Sequence, residues 1–142
     1  MTTAREIMTQ GAECASADDT LVDAARRMRD LGVGALPVCG PDERLQGMVT
    51  DRDIVVKCIA EGGDPASTLV QDLAEGLTVT IGADDDVDQA LSTMVKHGVR
   101  RLPLIDGREL VGMLSQADVA REASPERAGE LLAALSASSD NN

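Results

Sequence analysis

With 142 residues, 43% of them apolar and 27% charged, the chain has the make-up of one compact globular unit or two small interlocked halves, which excludes a fibrous or disordered protein. Thirteen basic against 25 acidic residues give a formal charge of −12, so nucleic acid and anionic membranes are repelled on average and any anionic ligand must find a local basic pocket. Phe, Tyr and Trp are all absent, which removes the usual platform for stacking single-stranded bases; a bound purine has to lie between aliphatic side chains.

The opening Met1-Thr2-Thr3-Ala4-Arg5-Glu6 has no apolar signal core, and no run approaches the roughly 20 apolar residues that span a bilayer. A cytoplasmic protein without a membrane partner is the expectation. Ala4 to Met8 reads as a brief helical turn and Glu13-Cys14-Ala15 as a short strand. Leu21, Ala24, Ala25 and Met28 then fall at i, i+3, i+4 and i+7, the stripe of an amphipathic helix. Asp18-Asp19-Thr20 supplies short acceptors for its free N–H groups, and Gly32 ends it. Ala35–Cys39 and Leu45–Val49 form a hairpin across the turn-rich Gly40-Pro41-Asp42-Glu43-Arg44. A second helix starts near Asp51 and carries Ile54, Val55, Cys58 and Ile59 on one face until Gly62-Gly63.

The pattern then repeats. A shift of 66 residues lays Ala17-Asp18-Asp19 on Ala83-Asp84-Asp85, Ala24 on Ala90, Met28 on Met94, Gly32-Val33 on Gly98-Val99 and Leu36-Pro37 on Leu102-Pro103. One deletion later, Leu45, Gly47, Met48 and Asp53 meet Leu110, Gly112, Met113 and Asp118. The second copy reads as a turn over Val70 to Ala74, a strand over Thr78–Ile81 and a helix bearing Val87, Ala90, Leu91 and Met94. A hairpin of Leu102–Ile105 with Leu110–Leu114 and a helix from near Gln116 complete it. The chain is thus an α/β protein of two β-α-β-β-α repeats, residues 1–66 and 67–123. A unit of about 60 residues is marginal alone, so the copies are expected to pack through a pseudo-two-fold axis. Ser124-Pro125-Glu126 starts a short C-terminal helix within residues 124–142, with the proline where its missing N–H costs nothing, and Ser136 to Asn142 reads as a disordered tail.

Two copies of Gly-Val-x-x-Leu-Pro, each followed by Thr/Ser-x-x-Asp as Thr50-Asp51-Arg52-Asp53 and Ser115-Gln116-Ala117-Asp118, make residues 3–123 resemble a tandem pair of CBS domains, a Bateman module. Met1 to Met8, Gly34 to Gly40 and Thr50 to Val55 sharpen the likeness towards small stand-alone members. The resemblance implies a homodimer packed as a disc, no attached catalytic domain, and a cleft between repeats for AMP, ADP, ATP or S-adenosylmethionine, with the motif aspartate as the ribose ligand. No cofactor is required.

The residues allow that chemistry. A strand-to-helix junction at Thr50 offers unpaired backbone N–H groups to an anion, and an ionised Asp53 has two oxygens for vicinal ribose hydroxyls. The resemblance implies that Arg52, at the position from which CBS modules reach phosphate, does so here, and Arg100 or Arg101 can add charge. Backbone groups of Ala35-Leu36-Pro37 and Leu102-Pro103 are placed to read a purine edge. Ser115 and Asp118 make the second site, which has Ala117 where the first has Arg52 and is expected to be weak or empty. Thr-x-x-Asp is equally a helix-capping box, and Arg100 and Arg101 are equally solvated strand-end charges; both pairs of readings stand.

Cys14, Cys39, Cys58 and His97 form no recognisable metal spacing, so no metal site is expected. Cys58 lies on an apolar helix face as a buried thiol. Cys14 and Cys39 fall in neighbouring strands, where a disulfide is open, while a reducing cytosol argues for free thiols. His97 closes a helix, and Asp84-Asp85-Asp86 precedes one as a cap. No nucleophile stands paired with a base, so no enzyme is expected. The two functions left are an adenosine-ligand sensor and a nucleotide-independent dimeric interaction protein on the same scaffold, stapled by Cys14 and Cys39, with an unknown protein partner.

Overall fold

The computed structural model describes residues 2–10, 13–42, 44–74 and 79–137. In chain order the elements are α1 (Ala4–Ile7), β1 (Thr9–Gln10), β2 (Ala15–Ser16), α2 (Leu21–Leu31), β3 (Ala35–Cys39), β4 (Leu45–Thr50) and α3 (Asp51–Asp53), which runs on as a π-helical stretch, Ile54–Ile59. A 3₁₀ turn (Val70–Asp72) leads into β5 (Ile81–Gly82), α4 (Val87–His97), β6 (Arg101–Asp106), β7 (Glu109–Ser115), α5 (Gln116–Glu122) and α6 (Pro125–Ala137). The expected β-α-β-β-α order is present twice, with the C-terminal helix after it. Of the expected tail, Ser136 and Ala137 are helical and residues 138–142 lie outside the described residues, as do Glu43 of the first hairpin turn and Thr78.

Contacts divide the chain into two compact units, Glu13–Thr78 and Met1–Ala12 with Val79–Asn142. In the first, a sheet of order β2-β3-β4 pairs β2 parallel and β4 antiparallel to β3. Leu21, Ala24 and Met28 of α2 pack on Leu36, Val38 and Val49 of that sheet, with Ile54 and Cys58 from the following helix. The second unit repeats this plan in a sheet of order β1-β7-β6-β5, with Val87, Ala90, Leu91 and Met94 of α4 over Leu102, Leu104 and Leu114.

The caps explain why the helices start where they do. Thr20 accepts from Asp23 N (3.2 Å) while Asp23 accepts from Thr20 N, and Asp86 and Gln89 do the same ahead of α4. Gly32 and Gly98 end α2 and α4 with φ of 69° and 64°, left-handed conformations in which a side chain is strained. Asp84, Asp85 and Asp86 are all engaged: Asp84 pairs with Arg5, Asp85 accepts from Gly82 N and Asp86 caps α4.

Sequence order and packing order differ at the leading segments. The segment Thr68–Ala74 follows the first repeat in the chain and docks onto it: Leu21 N donates to Thr68 O, Val70 N to Asp19 O and Gln71 N to Ala17 O. Thr2–Ile7 stands at the chain start but docks the same way in the second unit, where Val87 N donates to Thr2 O, Ala4 N to Asp85 O and Arg5 N to Ala83 O. Arg5 then bridges Asp84 (3.1 Å) and Asp106 (2.9 Å), and these hydrogen bonds, Asp84 foremost, hold its pKa above the ordinary arginine value.

The helix after β4 differs from its expected form. Ile54 and Cys58 are buried, but Val55 and Ile59 are 54% and 53% exposed, so the apolar face splits. Its cause is the widened turn: Ala60 N donates to Val55 O (2.8 Å), five residues back, which shifts successive side chains away from an α-helical stripe.

Candidate ligand-binding site

In the Glu13–Thr78 unit, β3 and β4 bring Ala35 opposite Thr50, Leu36 opposite Val49 and Pro37 opposite Met48, and Asp51 N donates to Gly34 O (2.9 Å). Thr50 and Asp53 are both 5% exposed. They form a reciprocal box in which Asp53 N donates to Thr50 Oγ1 (2.9 Å) and Thr50 N donates to Asp53 Oδ2 (3.0 Å). The other carboxylate oxygen, Oδ1, lies 3.1 Å from Lys57 Nζ. Burial of a charged carboxylate is tolerated here because both oxygens have donors.

This geometry alters the expected anion site. Asp51 N is bonded to Gly34 O, Arg52 N to Asp51 Oδ1 (2.8 Å), Asp53 N to Thr50 Oγ1 and Ile54 N to Asp51 O. The first-turn N–H groups that the strand-to-helix junction was expected to present to phosphate are therefore bonded within the protein. A phosphate near this turn would instead meet side chains, Arg52 and Lys57, both of which are exposed.

The second unit repeats the arrangement with different side chains. Arg101 pairs with Ser115, Leu102 with Leu114 and Pro103 with Met113, while Gln116 N donates to Arg100 O (2.8 Å). Asp118 N donates to Ser115 Oγ (3.1 Å), Ser115 N donates to Asp118 Oδ2 (3.0 Å), and Arg121 pairs with Asp118 Oδ1. Arg100 Nη2 donates to Leu135 O (3.1 Å), so this guanidinium binds the end of α6, whereas Arg101 is half-buried at the start of β6. Each unit thus assembles its own strand entry and its own hydroxyl-carboxylate box.

The flanking strands are short, which matters for recognition. β2 pairs only with Val38 and Cys39, and β5 only with Leu104 and Ile105. Ahead of those residues, the β3 and β6 edges facing β2 and β5 have no strand partner among the described residues, so the first halves of these strands have an edge on which backbone donors and acceptors can meet a planar polar ring. Lys57 and Arg121 were missed in the sequence reading. The available signal was a basic residue four positions after Asp53 and three after Asp118, the spacing at which helical side chains meet.

Cys14 and Cys39 are joined by a disulfide with a Cα–Cα distance of 5.5 Å, tying the approach to β2 to the end of β3, and the Arg27 guanidinium donates to the Cys14 carbonyl. Cys58 is a free buried thiol near Thr68 Oγ1. Among the described residues no group of three or more His, Cys, Asp or Glu side chains is placed to hold a metal ion, and no helix is long and apolar enough to cross a membrane.

The CBS domain profile matches residues 4–59 and 72–124. Hypoxic response protein 1 of Mycobacterium tuberculosis is 46% identical over 121 residues, 85% of this chain and 85% of that protein. A crystal structure of Hypoxic Response Protein I with two coordinated zinc ions superposes with a TM-score of 0.78 at 44% identity, covering 87% of this chain and all of the other. A hexameric CBS-CP12 protein from bloom-forming cyanobacteria gives a TM-score of 0.77 at 29% identity over 86% of this chain and 72% of its own.

Proposed function

This chain belongs to the CBS-domain family, and from that premise we propose that it is a non-catalytic, homodimeric regulatory sensor for an adenosine nucleotide or related ligand such as AMP, ADP, ATP or S-adenosylmethionine. The observation that carries the reading is the duplicated box: a carboxylate, buried Asp53 or half-buried Asp118, fixed beside a strand whose outer edge lacks a partner strand along its first half among the described residues. An ionised carboxylate can take two vicinal ribose hydroxyls, and it exchanges its bond to Lys57 or Arg121 for them as the ligand enters. The released cation then stands ready for phosphate, joined by Arg52 in the first unit. Backbone groups of Ala35-Leu36-Pro37 and of Leu102-Pro103 read the purine edge, and aliphatic side chains cover its faces. The second unit has Ala117 in place of Arg52 and binds more weakly.

Ligand that binds only the folded state raises the melting temperature by mass action, worth about 2.7 kcal/mol at 100 times Kd. Melting followed by far-UV circular dichroism is expected to rise with millimolar AMP or ATP, and Asp53→Asn is expected to remove most of that rise. If no adenosine ligand moves the transition of the native protein, the sensor reading falls.

A second reading has its own support: a dimeric interaction protein that ignores nucleotides. Thr50 and Asp53 already satisfy one another, Arg100 is committed to Leu135 O, and the disulfide tethers β3 to the segment before β2. It is favoured if the dimer is indifferent to every adenosine ligand and still captures a protein partner. The zinc named for the related hypoxic response protein finds no cluster to hold it among the described residues, so no metal role is proposed for this chain.

A further inference from the structure

We propose that α6 is a latch opened by ligand: a phosphate group entering beside the Ser115–Asp118 box draws the Arg100 guanidinium off the Leu135 carbonyl, and the far half of α6 lifts from α4 and α5. The proposal rests on the phosphate-bearing ligand of the reading above and adds what its binding moves.

Arg100 joins the two places. Its carbonyl accepts from Gln116 N (2.8 Å), the first residue of α5 and the neighbour of Ser115, while its Nη2 donates to Leu135 O (3.1 Å) near the end of α6. One residue is thus fixed by its backbone to the turn that carries the box and by its side chain to the C-terminal helix. The internal repeat ties the arginine to that helix. The first unit has Gly34 at this position, bonded to Asp51 N in the same way, and among the described residues it has no helix of its own in the place of α6.

The hold on α6 is uneven along its length. At its start Arg127 donates to Ser92 Oγ (3.1 Å) of α4 and to Glu130 (2.8 Å), and Arg127 N donates to Ser124 Oγ (3.3 Å). Beyond that anchor only Leu131 and Leu135 are buried, and Leu132 between them is 65% exposed. By comparison α4, of similar length, buries Val87, Ala90, Leu91 and Met94. The far half of α6 therefore depends on two leucines and one hydrogen bond. Gly129 stands between the anchor and the leucines, and a Cβ there would meet nothing within 4 Å. Packing gives no reason for this glycine, and its backbone freedom weakens the helix at the point where the far half would part from the near one.

Competition for Arg100 sets the direction. Leu135 O is a neutral carbonyl that takes one bond from the guanidinium. A phosphate is ionised and takes two in parallel, each roughly twice as strong as a bond between neutral groups. Phosphate within reach therefore wins the arginine, and the last turn of α6 loses a donor for its free carbonyls and a positive charge at the negative end of the helix. The coupling runs both ways, so whatever tightens α6 on α4 and α5 weakens phosphate binding by the same factor.

Hydrogen–deuterium exchange of the full chain, read by mass spectrometry over residues 130–137, tests this with millimolar AMP, inorganic pyrophosphate, or sodium chloride of matched ionic strength. AMP and pyrophosphate are expected to speed exchange there about fivefold or more, and chloride to leave it unchanged. Arg100→Gln is expected to exchange at the faster rate without any anion and to ignore both phosphates. Gly129→Ala is expected to exchange about fivefold more slowly, the worth of that substitution inside a helix, and to need correspondingly more pyrophosphate. Unchanged circular dichroism spectra confirm that both variants fold. Exchange that is the same in AMP, pyrophosphate and chloride, a native rate in Arg100→Gln, or release by chloride alone would each overturn the latch. Melting temperatures of the same samples separate the two ideas. If AMP raises melting while α6 stays protected, the latch falls and the sensor reading stands; if pyrophosphate frees α6 and no adenosine ligand moves the melting temperature, the latch stands and the sensor reading falls.

Discussion

Thr50 and Asp53, each 5% exposed, hold each other by two hydrogen bonds, so each is the other's partner before any ligand arrives. Removing the hydroxyl leaves Asp53 N without its acceptor and returns nothing in exchange. Thr50→Ala is therefore expected to cost about 1–2 kcal/mol, and Ser115→Ala about 1 kcal/mol because Ser115 is only half-buried, read as shifts in the urea midpoint by circular dichroism. The box itself was legible in the sequence, since a hydroxyl and an acid three positions apart at a helix start have few other uses. What the sequence left open was whether that box faces inward, and the coordinates place Asp53 there with Lys57 as its counterion. Arg100 was legible only as a charge at a strand entry. Its partner, the carbonyl of Leu135, lies 35 residues further along and carries no side-chain signal.

The elements whose signals are local matched their expectation: α2 and α4 with caps at both ends, the two hairpins, and α6 starting on its proline. Those that depend on distant packing did not announce themselves. β1 has two residues, pairs with Met113 and Gly112 of β7, and has no alternation long enough to read. The repeated glycines Gly47 and Gly112 align in the sequence without a stated reason, and the structure supplies it. A Cβ on Gly112 would sit 2.9 Å from Thr9 O and overlap the Met8 side chain, whereas one on Gly47 would meet Ala74 O at 3.3 Å. Both glycines lie where a leading segment crosses the last strand of a sheet. Gly112→Ala is expected to destabilise by about 1–3 kcal/mol and Gly47→Ala by less, measured by denaturant unfolding of the two variants side by side. The π-helical stretch was equally illegible, because Ile54, Val55, Cys58 and Ile59 fit an α-helical stripe until an extra residue enters the turn.

For the molecule as a whole, the Cys14–Cys39 link closes a loop with a sequence separation of 25. A loop of that length is worth about 3 kcal/mol through the unfolded chain, so reduction or Cys39→Ser is expected to lower stability by that order. Thiol counting in denaturant is expected to find one reactive sulfur before reductant, Cys58, and three after it; three from the outset would mean the bond is not held in solution. The traded leading segments carry a further consequence for how the protein is made. Residues 13–78 form a continuous stretch, so that unit has all its parts once they have left the ribosome. Ala4–Ile7 emerges before any of them, yet the strands and helix that receive it are synthesised last. At elongation rates of about 5–20 residues per second, the first turn of the chain waits seconds for its place, a newborn arm exposed to whatever else will hold it.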